Sequence, residues 1–287
     1  MTNKINNTKE QIQGRYGTIA DHYRHSDLPL PLDIDGCVPQ TKAVGTPKNV
    51  PLAERLYGQE ELVDLPASVT NVSLGCGNPI AIANLKPGET VLDLGCGGGL
   101  DCFLAARAVG PAGYVIGVDM TESMVALANQ NKAQLGLANV EFHHGQIEAL
   151  PVETDSVDSI ISNCVIDISP DKAAVFAEAF RVLKPGGRFS ITDTVIQGEF
   201  PAAIKANIDM WADAVITPLI TLEEYIRCIH QAGFVEVTVE SLTSYGLENL
   251  EALDEASRQT LTQGVDWSEV PENAGLYSAR IVAKRSA

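Results

Sequence analysis

At 287 residues the chain has room for one large domain, or for a core domain with an appendage. Hydrophobic residues make up 45% of it, ample material to bury a core, which excludes wholesale disorder. With 20 Lys and Arg against 37 Asp and Glu the formal charge is -17, so a phosphate backbone would be repelled and no nucleic-acid partner is expected. No apolar run approaches the roughly 20 residues that cross a bilayer, and the opening MTNKINNTKEQIQGRYG carries no apolar signal segment. A soluble, cytoplasmic protein without a membrane partner is expected.

In chain order, a helix is predicted near Ile12 to Tyr23, followed by loop punctuated by Pro29, Pro31, Pro39, Pro47 and Pro51. From Thr90 onward short β-rich runs alternate with helical stretches. The strands predicted are TVLDL (90–94), YVIGVD (114–119), NVEFHH (139–144), VDSIISN (157–163) and RFSITDTV (188–195). Helices are predicted between them near Asp101 to Ala108, Glu122 to Leu135 and Lys172 to Leu183; the last carries Val175, Phe176, Ala179, Phe180 and Leu183 at helical spacing. The stretch LKPGG (183–187) reads as a helix stop and a turn. Two further helices, near Ala202 to Ala214 and Leu222 to Ala232, precede strands VEVTVES (235–241) and YSARIVAK (277–284), with an inserted helix in GLENLEALDEASRQTL. Strand, helix, strand in this order requires right-handed crossovers and a mostly parallel sheet, so the fold class is α/β.

Six cysteines, Cys37, Cys76, Cys96, Cys102, Cys164 and Cys228, form no CxxC pair. In a reducing compartment they are expected as thiols, and any thiol site must be assembled by folding. Cys96, Cys102 and Cys228 read as buried structural thiols. The five histidines fall on predicted strands or helices and read as satisfied or solvated side chains.

The run VLDLGCGGGLD places Asp93 on the first strand and Gly95, Gly97 and Gly99 on the turn after it. Glycine is needed where backbone approaches a ligand and adopts positive φ, and the following helix N-terminus can receive electron-rich groups. A dinucleotide fingerprint wants glycine where Leu100 stands, which argues against NAD. Asp119 ends the second strand, about 20 residues on, where a carboxylate can accept both hydroxyls of a ribose.

DLGCGGG, GVDM and LKPGG resemble the class I S-adenosylmethionine methyltransferases. That resemblance implies a Rossmann-like, doubly wound sheet of seven strands, the last antiparallel, with S-adenosylmethionine over the carboxyl ends of the first strands. By the same match Gly95, Gly97 and Gly99 surround the methionine moiety, Asp93 helps to order their loop, Cys96 within it joins the cofactor site, and Asp119 holds the ribose. Met120, Ile147 and Glu148 lie at the adenine, and Asn163 lies beneath the methionine part. The division implied is an N-terminal extension over the active site (1–80), a cofactor-binding core (81–200) and substrate-side helices with the final strands (201–287).

From about Tyr16 to Phe234 the chain is also similar to arsenite S-adenosylmethionine methyltransferases, through RYGTIA, DGCV, SLGCGNP, VIGVDMT, IISNCVI, SPDK and EAFRVLKPGG. This likeness implies methyl transfer to arsenite or methylarsenite held by the thiolates of Cys76 and Cys164, Cys37 joining their redox cycle, and a thiol reductant such as glutathione or thioredoxin as cosubstrate. A soft, thiophilic centre prefers thiolate ligands, and its lone pair carries no proton for a general base to remove. Ala214 stands where the family has a third arsenic-binding cysteine, and Asp167 where Asn is common. Two other readings fit the same residues: methyl transfer to a small organic acceptor, and capture of arsenite without catalysis.

Overall fold

The computed structural model describes residues 2–26, 52–73, 75–200, 202, 205, 219–244, 271 and 274–287. Its helices are α1 (Thr2–His25), α2 (Leu52–Leu56), α3 (Gln59–Leu62), α4 (Ala67–Thr70), α5 (Ile80–Ala83), α6 (Leu100–Val109), α7 (Glu122–Leu135), α8 (Lys172–Val182) and α9 (Leu222–Gln231). Its strands are β1 (Thr90–Leu94), β2 (Tyr114–Asp119), β3 (Val140–His144), β4 (Val157–Asn163), β5 (Leu183–Gln197), β6 (Phe234–Ser244) and β7 (Gly275–Arg285). They form one 7-stranded sheet in the order β3-β2-β1-β4-β5-β7-β6. Strands β1 to β5 pair in parallel, while β7 runs antiparallel to both β5 and β6.

The β1 residues show why the sheet is double-sided. Successive side chains of a strand point to opposite faces. Leu92 and Leu94 join Ile160, Phe176, Phe189 and Tyr225 in the core on one face, while Val91 joins Ala105, Val115 and Ile161 on the other. Both faces being covered, the central strands read as nearly continuous apolar runs. The Asp171 carboxylate caps α8 by accepting from the Ala174 N–H at 3.0 Å, and the Thr221 hydroxyl caps α9 by accepting from Glu224 N–H at 3.1 Å. Helix α7 stops where Gly136 takes φ +66°.

Strands β1, β2 and β4 and helix α7 occupy the spans read from the sequence, and the seven-stranded sheet with its antiparallel strand is as the resemblance implied. Three expectations are corrected. The region before Thr90, expected as loop after one helix, holds the short helices α2 to α5, too brief for a periodic signal. At LKPGG the helix stops as read, at Val182, but the turn lies inside β5 as an irregularity: Leu183 pairs with Val157 and Arg188 with Ser159, with Gly186 at φ +76° between them. The third concerns Cys76 and Cys164, which the structure joins as a disulfide, treated below. The helices expected at 202–214 and within 246–261 lie outside the described residues, as do Cys37 and Ala214.

Candidate functional site

The carboxyl ends of β1, β2 and β4 open into a cleft of about 1020 Å³ counted out to its mouth. Open α/β sheets bind ligands outside the carboxyl ends of their strands where the strand order reverses, here between β1 and β4. The floor is the turn from β1 into α6. Gly95 holds φ +71°, and a Cβ on it would lie 2.4 Å from the Val165 side chain, so no other residue fits. Gly97 holds φ +50° with nothing within 4 Å of a would-be Cβ, so its backbone is laid bare toward the cleft.

Asp119 closes the far end of that turn. One carboxylate oxygen accepts from Gly97 N–H at 3.0 Å and the other from Thr121 N–H at 2.8 Å. Burial pushes its pKa above the ordinary carboxylate range, and the two N–H donors oppose that shift. Asp93 is buried below the turn and accepts from the Cys102 thiol at 3.2 Å; burial and the Asp101 charge push its pKa well up. Burial also raises Cys96 to about 11 and Cys102 well above its ordinary value, which keeps both thiols protonated and inert.

The adenine-side residues named from the resemblance meet helix α1, a helix read from the sequence without any sign of which of its residues reach the cleft. Lys9 forms an ion pair with Glu148 at 3.2 Å, with only 16% and 13% of the two side chains exposed, and Lys9 also donates to the Gln146 amide oxygen at 2.8 Å. Glu148 accepts from the Ser169 hydroxyl at 2.7 Å. Gln13 donates to the Met120 carbonyl at 2.9 Å, and a ring nitrogen of His144 lies 2.9 Å from the same oxygen. Ile147 is buried in the wall. Ile19, Ala20 and Tyr23 of α1 pack on Met124 and Leu127 of α7, so the helix roofs the cleft and adds Lys9 and Tyr16 to its lining.

At the opposite end stand the sulfurs. Cys164 follows β4 in the left-handed region at φ +54°, its N–H donating to the Thr192 carbonyl at 2.8 Å. It lines the cleft beside Asp93, Gly95 and Asn163. Cys76, in the loop between α4 and α5, is bonded to it across a sequence separation of 88 residues, with the two Cα atoms 5.7 Å apart. The expectation that all cysteines are free thiols is therefore corrected for this pair, because the fold brings two sulfurs distant in sequence into bonding reach. Cys228 packs half-buried against the core and takes no part.

A buried acidic set lies behind Cys164. Asp193 accepts from Asp167 N–H at 2.9 Å, from Thr194 N–H at 3.1 Å and from the Tyr225 hydroxyl at 2.6 Å. The Lys172 ammonium donates to the Asp167 carbonyl at 2.8 Å. Burial and the Asp167 charge push Asp193 well up. Asp101 was not anticipated either; it accepts from the Tyr57 hydroxyl at 2.7 Å and burial raises it to about 6. Nothing in a linear sequence marks Lys9, Tyr57 or Asp101, which reach the site only through packing of α1, α2 and α6. No histidine lines the cleft among the described residues.

A bare glycine backbone, a buried carboxylate at the end of β2 and an enclosed wall at Ile147 fit a nucleoside cofactor with a charged amino-acid tail. The known proteins similar to this chain point the same way. A family model described as "Methyltransferase domain" matches residues 85–251. The arsenite methyltransferase of Halobacterium salinarum is 41% identical over 236 residues, covering 81% of this chain and 58% of that protein. The arsenite methyltransferase of Homo sapiens is 33% identical over 216 residues, covering 72% of this chain and 53% of that protein. This chain thus spans little more than half the length of either relative. Among solved structures, the arsenic(III) S-adenosylmethionine methyltransferase from Chlamydomonas reinhardtii superposes with a TM-score of 0.64 at 31% identity, covering 83% of this chain and 74% of that one.

Proposed function

The chain belongs to the methyltransferase-domain family and, within it, to the arsenite S-adenosylmethionine methyltransferases, and from that premise we propose that it transfers a methyl group to trivalent arsenic held by Cys76 and Cys164. The observation that carries the reading is the meeting of those two sulfurs at the methionine end of a cleft whose other end offers the Asp119 carboxylate. S-adenosylmethionine, when bound, supplies an electrophilic methyl carbon. The residues that would hold it are Asp93, Gly95, Cys96, Gly97 and Gly99 around the tail, Asp119 at the ribose, and Met120, Ile147 and Glu148 at the adenine.

The chain's own task is placement. Two thiolates presented from a strand tip and a glycine-flanked loop hold a thiophilic atom without a general base, and orientation of this kind is worth up to roughly 7 to 11 kcal/mol of barrier. The bonded pair must first be opened. A thiol reductant of the glutathione or thioredoxin class gives two electrons and two protons, leaves as its own disulfide, and frees both sulfurs. With Ala214 in place of a third cysteine, a small thiol completes the arsenic ligand set, or Cys37 does so. In this division of labour the segment 1–80 covers the cleft, 81–200 binds the cofactor and 201–287 faces the acceptor. Helix α1 with Lys9 and Tyr16 supports the first assignment.

The test is transfer of a labelled methyl group from the cofactor to arsenite in the presence of added thiol. Cys164→Ser should abolish transfer while the cofactor dissociation constant stays within about threefold. Transfer to cell extract but not to arsenite would favour an organic acceptor. Arsenite binding without transfer would favour sequestration.

A further inference from the structure

We infer that Asn163 is the positioning residue that holds Cys76 opposite Cys164, with Tyr57 and Asp101 fixing the orientation of its amide. Cys164 needs little help, since it directly follows β4 and its N–H is tied to Thr192 of β5. Cys76 is different. Its loop, residues 75–79, has neither helix nor strand to decide where the sulfur points.

The N–H groups of Cys76 and Gly77 and the Gly77 carbonyl are all met by one side chain, reaching out from the last residue of β4. The Asn163 carbonyl oxygen accepts from Cys76 N–H at 3.0 Å and from Gly77 N–H at 3.2 Å. Its amide nitrogen donates to the Gly77 carbonyl at 2.8 Å, and also lies 2.9 Å from the Tyr57 hydroxyl oxygen and 3.2 Å from an Asp101 carboxylate oxygen. An amide offers two lone pairs and two N–H groups, so the capacity of this one is used up within the protein. The resemblance places Asn163 beneath the methionine part, and it does line the cleft, while its side-chain hydrogen bonds go to the thiol loop and its supports.

Two further observations agree. A Cβ on Gly75 would lie 2.3 Å from the Asn163 amide, and one on Gly77 would lie 2.2 Å from the Thr192 side chain. The glycines on either side of Cys76 are thus required by the close approach of the loop to Asn163 and β5. They do not serve positive φ, which neither adopts. Tyr57 donates its hydroxyl proton to Asp101 at 2.7 Å and so turns a lone pair toward the Asn163 nitrogen. That sets which end of the amide faces the loop. From the other side the Ser278 hydroxyl donates to the Cys76 carbonyl at 2.8 Å, clamping the residue between β4 and β7.

The bearing of this on catalysis rests on the reading of Cys76 and Cys164 as arsenic ligands, whereas the measurement of it does not. Full-length wild type, Asn163→Ala and Tyr57→Phe are equilibrated in buffers of reduced and oxidised glutathione. The fraction carrying the Cys76–Cys164 bond is then read by alkylation and peptide mass spectrometry. Two glutathiones open the bond to two thiols and leave as one glutathione disulfide, so the bonded-to-open ratio, multiplied by the square of the glutathione concentration over that of its disulfide, gives the closure constant. Asn163→Ala should lower it at least tenfold, equivalent to a rise of about 30 mV in midpoint potential. Tyr57→Phe should lower it severalfold, with the cofactor dissociation constant of the reduced protein unchanged. Should Asn163→Ala fail to fold, Tyr57→Phe decides the matter. Unchanged closure constants would overturn the inference, as would weakened cofactor binding in Asn163→Ala with closure intact. Absence of methyl transfer to arsenite would overturn the proposed function and leave this equilibrium as it stands.

Discussion

Asp119 and Asp101 are both buried acids at the cleft with raised pKa values, yet their consequences differ. Asp119 presents its carboxylate where the ribose would lie while bracing the Gly97 backbone, so Asp119→Ala removes both a ligand and a brace. Two charge-assisted hydrogen bonds are worth about 1.5 to 3 kcal/mol each, and we expect at least a tenfold rise in the cofactor dissociation constant by calorimetry. An unchanged constant would remove Asp119 from the ribose. Asp101 moves from 3.8 to about 6 on folding, so the folded state holds its proton more tightly than the unfolded chain does. The stability it contributes is complete below the unfolded value and is lost as the pH rises through about 6. Urea midpoints of Asp101→Asn should therefore fall less between pH 4 and pH 7 than those of the wild type. Equal slopes would show that Asp93 and Asp119, shifted in the same direction, account for the whole effect.

Helix α1 is mostly polar, and its place is set by Ile19, Ala20 and Tyr23 on α7 and by Lys9 and Gln13 at the cleft wall. A nucleoside ligand bound in this cleft would lie beneath it. Lys9→Met keeps the length of the stem and removes the charge that pairs with Glu148, so cofactor and product should dissociate severalfold faster. The wild-type rate should rise with salt and the Lys9→Met rate should not, because a partly shielded ion pair is still screened. Stopped-flow displacement of S-adenosylhomocysteine measures both, and identical rates would show that α1 stays closed on another contact. Strand β5 makes the complementary point for the sheet. It carries Thr192, Asp193 and Thr194 to the back of Cys164, so the thiol end of the cleft is built on a central strand rather than on loops alone.

For the whole molecule, the bond between Cys76 and Cys164 closes a loop spanning 88 residues and ties the segment before β1 to the tip of β4. Chain entropy makes such a link worth up to about 4.5 kcal/mol, so reduction by a dithiol should lower Tm even though the reduced form is the one expected to bind arsenite. Calorimetry with and without reductant checks this, and an unchanged Tm would mean that Asn163 and Ser278 already hold the loop in full. The sequence by itself determined the α/β class, the strands around the cofactor turn and the carboxylate at the end of β2. Those signals are local: apolar runs with period 2, helical spacing with period 3.6, and glycines where backbone must bend or come close. It also marked Cys76 and Cys164, although only through likeness to a family, for nothing in the spacing of the six cysteines singles out that pair. The tertiary structure alone decided that these two sulfurs bond, that Lys9 is a residue through which α1 reaches the cleft wall, and that Tyr57 and Asp101 meet the Asn163 amide that holds the thiol loop. Each of these joins residues dozens of positions apart, through side chains whose partners are fixed only once the sheet has set the spacing of its strands and helices.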